Sequence, residues 1–261
     1  MRICLIGHGW IAEKMALVLR GHDISRFTHL NAFAVIDARL ARAPFHWIVN
    51  CAGVTGTPTV DQCEVRKAET IAGNTVFPVK LSILAQKWGN RLAHFSSGCI
   101  FQGGVFGEDD PPNFDGSVYS ASKLVSDQAL KDHALVLRIR MPFDNTDSPK
   151  SLLTKLRKYA ARGKILDGCN SLSDADEMCE KAAELISENA PNGVYHLVNK
   201  GAIWTRDIMA MLDIECAFWD KEEFRSLFPA PRSECQLSTK LDTRPVGDAL
   251  IDAIEKIRIA A

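Results

Sequence analysis

Short apolar runs alternate with longer amphipathic segments along the first half of the chain. The apolar runs of strand length are Met1–Ile6, His46–Ala52, Arg91–Ser97 and Leu135–Arg140, and the amphipathic segments are Ile11–Leu19, Ala68–Trp88 and Tyr119–Leu130. Parallel strands that are buried on both faces are continuously hydrophobic, and helices connect them. The pattern therefore predicts an α/β fold built on a doubly wound parallel sheet.

The pattern loosens after Pro142, where residues 145–149 are typical of a loop. A basic helix is predicted over residues 151–161 and an isolated strand over residues 193–198. We predict that residues 1–142 form the sheet domain and that residues 143–261 mainly form a smaller substrate-binding lobe. The strand near residues 193–198 is expected to return to the sheet.

Composition narrows the class of partner. The 31 basic and 32 acidic residues give a net charge of -1, which provides no electrostatic basis for binding nucleic acid or an anionic membrane. The 8 cysteines form no C-x-x-C pair and the 7 histidines have no ligand spacing, so we expect reduced thiols and no metal. No apolar stretch approaches the ~20 residues of a membrane span, and no signal sequence opens the chain. We expect a cytoplasmic protein that acts on a small molecule.

A glycine-rich turn follows the first predicted strand. Gly7 and Gly9 fall in a G-x-G-x-x-A pattern that ends at Ala12 and leads into a helix. Such a turn lets backbone N–H groups approach a pyrophosphate at the helix N-terminus. Gly7, Gly9, Trp10 and Ile11 are therefore candidate cofactor-binding residues, the alternative being an ordinary strand-to-helix turn.

The second strand region, His22–Leu30, lacks the terminal acidic residue that would bind a ribose 2′-hydroxyl. It offers Ser25 and Arg26 instead, and an arginine suits a 2′-phosphate. Arg26 therefore favours NADP over NAD, the alternative being a solvated surface arginine.

Small residues end the next buried strand. Asn50, Cys51, Ala52 and Gly53 lie where ligands bind, beyond the carboxyl ends of the strands, and we expect them to contact the cofactor. Asn74 begins another helical segment, and two interpretations remain for it, a loop cap or a further cofactor contact.

Tyr119 and Lys123 are four residues apart at the start of a predicted helix, which places them on one face. An adjacent ammonium is expected to lower the pKa of the phenol, so that the tyrosine can protonate a carbonyl while a nicotinamide delivers hydride. Ser97, at the end of the preceding strand, is the third candidate catalytic residue. Without its context the Tyr/Lys pair is also compatible with an ordinary helix start.

These motifs together resemble the extended short-chain dehydrogenases/reductases, in particular the 4-dehydrorhamnose reductase branch. Similarity extends from about Gly7 to Leu241 and is strongest to the bifunctional nucleotide-rhamnose synthases, which are 3,5-epimerase/4-reductases. The segments that carry it are Asn50–Glu64, Gly98–Phe101, Pro112–Ser120, Arg138–Pro142 and Ala230–Ser233. The glycine turn departs from the family, being one residue shorter than G-x-x-G-x-x-G.

The resemblance implies a Rossmann domain with a C-terminal substrate lobe, and it assigns Cys99 and Lys155 to epimerisation. Protons on the carbons beside a sugar ketone are acidic enough for a base to remove and an acid to return. The alternatives without a catalytic role are a buried thiol for Cys99 and a solvated lysine for Lys155. Val54, Thr55 and Asn113 are expected at the substrate.

Other polar residues have weaker assignments. Arg232 suits bidentate contact with a substrate diphosphate or is a surface arginine. Arg138 and Arg140 alternate on a strand and are expected to face solvent or a carboxylate. Asp61, Cys63 and Glu64 are assigned to helix capping or to the surface.

The leading hypothesis is NADPH-dependent reduction of a UDP- or dTDP-linked 4-keto deoxyhexose, coupled to 3,5-epimerisation. Two alternatives stay open, a reductase without epimerase activity and a non-catalytic regulatory subunit that binds a dinucleotide. A homodimer formed through two Rossmann helices is an expectation at the level of the family alone.

Overall fold

Six strands form one parallel sheet in the computed structural model, which describes residues 1–28 and 33–260. The sheet strands are β1 (Arg2–Ile6), β2 (Asp23–Phe27), β3 (Trp47–Asn50), β4 (Arg91–Ser97), β6 (Leu135–Ile139) and β9 (Gly193–His196). Their order is β2-β1-β3-β4-β6-β9. The chain builds outward from β1 in one direction and then in the other, so the topological switch lies between β1 and β3. Ligands of doubly wound sheets bind at the carboxyl edge of this switch.

Helices cover both faces of the sheet. They are α1 (Trp10–Val18), α2 (Phe33–Arg42), α3 (Asp61–Val65), α4 (Lys67–Ile71), α5 (Phe77–Trp88), α6 (Val118–Leu130) and α8 (Ala175–Ser187), with a π-helical turn at Ala72–Val76 and a 3₁₀ turn at Gly98–Ile100. Alternate residues of β1 enter the two cores: Leu5 packs with α1 and α8, and Ile6 packs with α2 and α5. This burial on both faces explains the continuous apolar runs in the sequence.

The lobe lies beyond the carboxyl ends of the central strands. Its helices are α7 (Leu152–Ala160), α9 (Thr205–Met211), α10 (Lys221–Leu227) and α11 (Val246–Ala260), and the short strands outside the main sheet are β5 (Val105–Phe106), β7 (Lys164–Ile165), β8 (Cys169–Asn170), β10 (Ile203–Trp204), β11 (Ala217–Phe218) and β12 (Gln236–Leu237). A separate apolar core includes Phe143 with residues of α7, α9 and α11. Because β12 pairs in parallel with β5, the end of the lobe is joined to the segment that follows β4.

The doubly wound α/β fold is confirmed, and each strand and helix predicted above has its counterpart within a few residues. Residues 193–196 form the outermost strand and pair with β6. The helix α8 was not predicted; it also comes after residue 142 and packs against α1. His29 and Leu30, the end of the predicted second-strand region, lie outside the described residues.

Within residues 1–28 and 33–260, none of the helices combines the length and the apolar character that crossing a bilayer requires.

Candidate active site

The glycine turn lies at the topological switch. Gly7 has a φ of +122°, and a Cβ there would lie 3.2 Å from the backbone nitrogen of Ala52, so a larger residue would be strained. Gly9 precedes α1, whose N-terminus has no side-chain cap, and a Cβ on Gly9 would meet no atom within 4 Å. Open space therefore faces free backbone N–H groups, an arrangement that fits the pyrophosphate of a dinucleotide.

The next two residues of the turn direct their side chains into the protein. The Trp10 indole N–H donates to the Asp144 carboxylate at 3.2 Å, and Lys14 lies 3.0 Å from the same carboxylate. Ile11 packs against the core on this face of the sheet. Both side chains are half-buried, and the backbone N–H groups of Trp10 and Ile11 are available to a cofactor.

Arg26 lies near the carboxyl end of β2, beside the glycine turn, because the Phe27 carbonyl accepts from the Gly7 N–H at 2.8 Å. Its guanidinium forms two hydrogen bonds with Glu13, at 2.6 and 3.1 Å. The Arg26 guanidinium holds the pKa of this carboxyl below its ordinary value. Exposed ion pairs of this kind contribute little stability, so an incoming phosphate can exchange for the carboxylate.

Two asparagines shape the loop that follows β3. The buried Asn50 side chain accepts from the Ala52 N–H at 3.1 Å and lies 3.0 Å from His94. Asn74 is also fully buried and bonds both backbone groups of Val54 at 2.8 Å, with a further bond to Ser122 at 3.1 Å. These contacts agree with the interpretation of Asn74 as a residue that holds the loop, and a contact with the cofactor stays a prediction.

Ser97, Tyr119 and Lys123 converge on this loop from two elements. Ser97 is buried at the end of β4, and the other two lie on the first two turns of α6. A Cβ on Gly53 would lie 3.3 Å from the Lys123 Nζ, and this ammonium donates to the Phe95 carbonyl at 3.2 Å. The structure thus brings the three predicted catalytic residues together next to the glycine-lined edge.

The N-terminus of α6 is held by two side chains. The Ser117 hydroxyl accepts from the Ser120 N–H at 3.1 Å, as an N-cap. Glu64 accepts from the Val118 N–H at 2.7 Å, so its assignment to helix capping applies to α6, more than 50 residues along the chain. Both contacts fix the first turn, where Tyr119 lies.

The ionisation of Tyr119 differs from the sequence-based expectation. Burial raises the pKa of this phenol above its ordinary value, the neighbouring Cys99 raises it further, and a hydrogen bond with Ser97 opposes the shift. The expected net lowering of the Tyr119 pKa by the Lys123 ammonium is therefore not found in the protein by itself, where burial is the largest influence. Tyr119 is therefore a neutral phenol near pH 7, the form that donates a proton.

Burial acts on Lys123 in the opposite direction. It lowers the pKa of this ammonium from 10.5 to about 8, while Asp127 and Cys99 oppose the shift. Because the value stays near neutrality, a moderate change around Lys123 alters its protonation.

Cys99 and Lys155 adjoin this centre from two elements, the turn after β4 and the lobe helix α7. Cys99 lies in the 3₁₀ turn directly after Ser97, whose hydroxyl accepts from the Cys99 N–H at 3.2 Å. Lys155 is half-buried on α7 and close enough to Cys99 for the two to interact electrostatically. Burial lowers the pKa of Lys155, and so does Lys150. Both epimerisation candidates therefore lie at the reductive centre.

Val54 and Thr55 line a cavity of about 230 Å³ that opens beside Gly53. Arg66 and Lys150 also lie on its wall. The position is compatible with the expected substrate contacts of Val54 and Thr55.

The other two expected substrate residues are engaged elsewhere. Asn113 bonds the backbone of Gln102 through its oxygen at 2.8 Å and its nitrogen at 3.0 Å. Arg232 forms a bidentate pair with Asp61, at 3.0 and 2.6 Å. Asp61 is therefore neither a cap nor a surface residue, and Arg232 already has an anionic partner that a substrate diphosphate would have to displace.

Arg138, within β6, and Arg140, directly after it, are both buried, whereas solvent was one of the two surroundings expected for them. Arg138 pairs with the Asp127 carboxylate at 2.7 and 3.0 Å, which agrees with the expected carboxylate partner. Arg140 faces neither solvent nor a carboxylate among the described residues, so that expectation is wrong for it. Its Nη1 donates to the Cys99 sulfur at 2.9 Å. Because charged side chains are rarely buried without a partner, two arginines in an apolar predicted strand already indicated that both have specific partners.

Comparison with known proteins agrees with this geometry. A bifunctional dTDP-4-dehydrorhamnose 3,5-epimerase/dTDP-4-dehydrorhamnose reductase of Arabidopsis thaliana is 35% identical over 219 residues, covering 77% of this chain and 71% of that protein. The crystal structure of the L780 UDP-rhamnose synthase from Acanthamoeba polyphaga mimivirus has a TM-score of 0.89 at 23% identity, covering 97% of this chain and 99% of that one.

A dTDP-4-dehydrorhamnose reductase from Bacillus anthracis, solved in complex with NADP, has a TM-score of 0.81 at 18% identity, covering 100% of this chain and 99% of that one. These two structures establish the fold. The model of the RmlD substrate binding domain matches residues 22–226, most of the chain. The resemblance found in the sequence is thereby confirmed, and the chain belongs to the RmlD substrate binding domain family.

Proposed function

We propose that this protein is an NADPH-dependent reductase of a nucleotide-linked 4-keto deoxyhexose and that it also epimerises the sugar at C3 and C5. One observation carries the proposal: Ser97, Tyr119 and Lys123 converge at the carboxyl edge of the sheet, beside a glycine turn that fits a pyrophosphate. Cys99 and Lys155 adjoin the same centre, which supports the second activity.

The cofactor assignment is supported by the open N-terminus of α1 and by Arg26. The pyrophosphate would be held by backbone N–H groups of the turn after Gly7, and the ribose 2′-phosphate by Arg26 in place of Glu13. The NADP bound to the Bacillus anthracis reductase supports the same choice.

The reductive step uses groups of the chain to handle a proton. NADPH supplies a hydride to the ketone carbon when it is bound. Tyr119 donates its phenolic proton to the ketone oxygen, which the Ser97 hydroxyl orients by a hydrogen bond. The Lys123 ammonium, held by the Phe95 carbonyl, stabilises the phenolate that remains until solvent returns the proton.

Epimerisation needs a base and an acid on opposite faces of the sugar. Cys99 approaches from the sheet side and Lys155 from α7, so the two can act on either side of a ring placed between them. The ketone that Tyr119 and Ser97 contact is the same group that acidifies the neighbouring carbons, and one bound sugar can therefore undergo both reactions.

The substrate class is supported by the relatives. The Arabidopsis thaliana protein is a dTDP-sugar epimerase/reductase, and the mimiviral protein is a UDP-rhamnose synthase. We infer a UDP- or dTDP-linked 4-keto-6-deoxyglucose as substrate.

The test is to supply UDP- and dTDP-4-keto-6-deoxyglucose with NADPH and to determine the product's stereochemistry by NMR. An L-rhamnosyl nucleotide supports the proposal. If only an already epimerised 4-keto sugar is consumed, the protein is a reductase alone. If NADPH binds but neither substrate is turned over, the regulatory alternative is favoured.

We further infer a homodimer and a cytoplasmic location. Exposed apolar side chains on the adjoining α5 and α6, among them Ile83 and Val125, support pairing through these helices. All eight cysteines are free thiols, which favours a reducing compartment. Sedimentation would test the dimer, and Ile83→Glu should yield monomers if these helices pair.

A further inference from the structure

Arg140 immediately follows β6 and is 2% exposed. Its Nη2 donates to the Asn170 side-chain oxygen and to the Ser233 carbonyl, the latter at 2.7 Å. Its Nη1 donates to the Cys99 sulfur at 2.9 Å, and its Nε has no partner. Two separate parts of the chain, at Asn170 and Ser233, therefore hold the guanidinium against the Cys99 thiol.

The charge of Arg140 is uncompensated within the described part of the chain. Its neighbour Arg138 is equally buried but has the Asp127 carboxylate at 2.7 Å. The oxygens around Arg140 come from an amide and a carbonyl, which are neutral. A buried cation without an anion is costly, and an anion formed at the adjacent sulfur would offset that cost.

We propose that Arg140 is the counter-ion and positioning residue of a Cys99 thiolate. This inference rests on the proposed epimerase function. The thiolate takes a proton from the carbon beside the ketone and becomes a thiol, while the C–H electron pair passes into an enolate. The Lys155 ammonium returns a proton to that carbon from the opposite face and becomes an amine, so protons and charge balance. Arg140 itself does not touch the sugar.

Other groups around Cys99 can influence its ionisation. Tyr119 and Lys123 face it from α6, Lys155 from α7, and Cys235 from the segment before β12. Among the described residues, Arg140 is the one whose side chain hydrogen-bonds the Cys99 sulfur. Loss of Arg140 should therefore change the thiolate population more than the loss of any of these neighbours.

The first test measures the thiolate directly. Ultraviolet thiolate absorbance is recorded across pH for the wild type, Arg140→Gln and Asn170→Asp, and each spectrum is corrected with a matched Cys99→Ser partner. We expect the pH midpoint of Cys99 ionisation to rise by about one unit in Arg140→Gln. At a pH below the midpoints of both proteins, the variant would then hold ~10-fold less thiolate than the wild type. Asn170→Asp places a carboxylate on the other side of the guanidinium and should raise the midpoint less.

The second variant protects the test against a folding failure. If circular dichroism shows that Arg140→Gln does not fold, the midpoint of Asn170→Asp tests the proposal instead, because this substitution is isosteric and keeps the arginine. A midpoint that does not move in the folded variants overturns the proposal, since a purely structural Arg140 would leave the thiol unchanged.

The second test separates the two activities. Deuterium exchange at C3 and C5 is measured without NADPH, and reduction is measured with an already epimerised 4-keto sugar. Arg140→Gln should lose ~10-fold or more of the exchange rate and keep reduction within a few-fold. If the wild type itself exchanges no deuterium, the proposed epimerase function is wrong. The absorbance midpoints still show in that case whether Arg140 stabilises the Cys99 thiolate. Equal losses in both activities would contradict its specific action on Cys99.

Discussion

The two sides of the candidate site are built by different means. Ser97, Tyr119 and Lys123, the reductive side, stand on β4 and the following helix α6, both part of the sheet framework. Cys99, Arg140 and Lys155, the thiol side, depend on contacts with the lobe, since Asn170 and Ser233 hold the guanidinium and Lys155 lies on α7. The groups proposed for reduction are thus positioned by the sheet framework, whereas the groups proposed for epimerisation also depend on the lobe for their positions.

The largest effect is expected from Tyr119→Phe, which removes the proton donor of the reductive side. General acid catalysis contributes about 10²- to 10⁴-fold, so reduction should fall by ~10³-fold. NADPH binding, measured by fluorescence titration, should change little. Deuterium exchange should fall far less than reduction. Equal losses of both would show that the two sides are not separable.

Cys99→Ser should produce the reverse pattern. Exchange at C3 and C5 is expected to fall by ~10²-fold because a hydroxyl is a much weaker base than a thiolate. Reduction of an already epimerised substrate should stay within a few-fold. Cys216→Ser is the matched control, since Cys216 is a half-buried thiol in the lobe and should leave both rates unchanged.

Lys123→Met tests how much the buried Lys123 ammonium lowers the free energy of unfolding. Burial lowers the pKa of Lys123 from 10.5 to about 8, so between these values the unfolded chain binds more protons than the folded protein. The contribution of Lys123 to the free energy of unfolding therefore increases with pH across that window. At pH 7 the variant should be more stable by about 2 kcal/mol, after allowance for the lost bond to Phe95.

Urea denaturation at a series of pH values provides the measurement. The advantage of Lys123→Met should shrink as the pH rises from about 8 to 10.5. An advantage that is constant with pH would mean that packing, and not ionisation, accounts for the difference in stability.

The smallest effect is expected at the cofactor end. Arg26→Ala should weaken NADPH binding by ~10-fold and leave NADH binding unchanged, because only the former carries a 2′-phosphate. The exposed Arg20→Ala serves as control, and calorimetric titration distinguishes the two cofactors. If both cofactors lose affinity equally, the assignment of the 2′-phosphate to Arg26 is wrong.

Much of the fold and the reductive side could be predicted because the signals are local. Apolar runs mark buried strands, and Tyr119 and Lys123 are one helical turn apart. The helix α8 had a local signal as well, since Asp174 caps it and Met178, Cys179 and Ala182 form an apolar stripe.

The partners of polar side chains were not predictable in the same way. Arg232 pairs with Asp61, 171 residues away, and Arg140 is held by Asn170 and Ser233, 30 and 93 residues away. Asn74 was predicted as a loop cap or a cofactor contact, but only the packed structure shows that its amide binds Val54. Residue type indicates what a side chain can bind, whereas tertiary packing decides what it does bind.

The return of the chain to the sheet affects how the molecule can come apart. After α7 and the first lobe strands, the chain re-enters the framework as α8 and β9 and then leaves again to complete the lobe. Cutting the chain after residue 142 would strip the sheet of its edge strand and expose the apolar surface of α1. Neither half is an autonomous folding unit, so denaturation should proceed as a single cooperative transition.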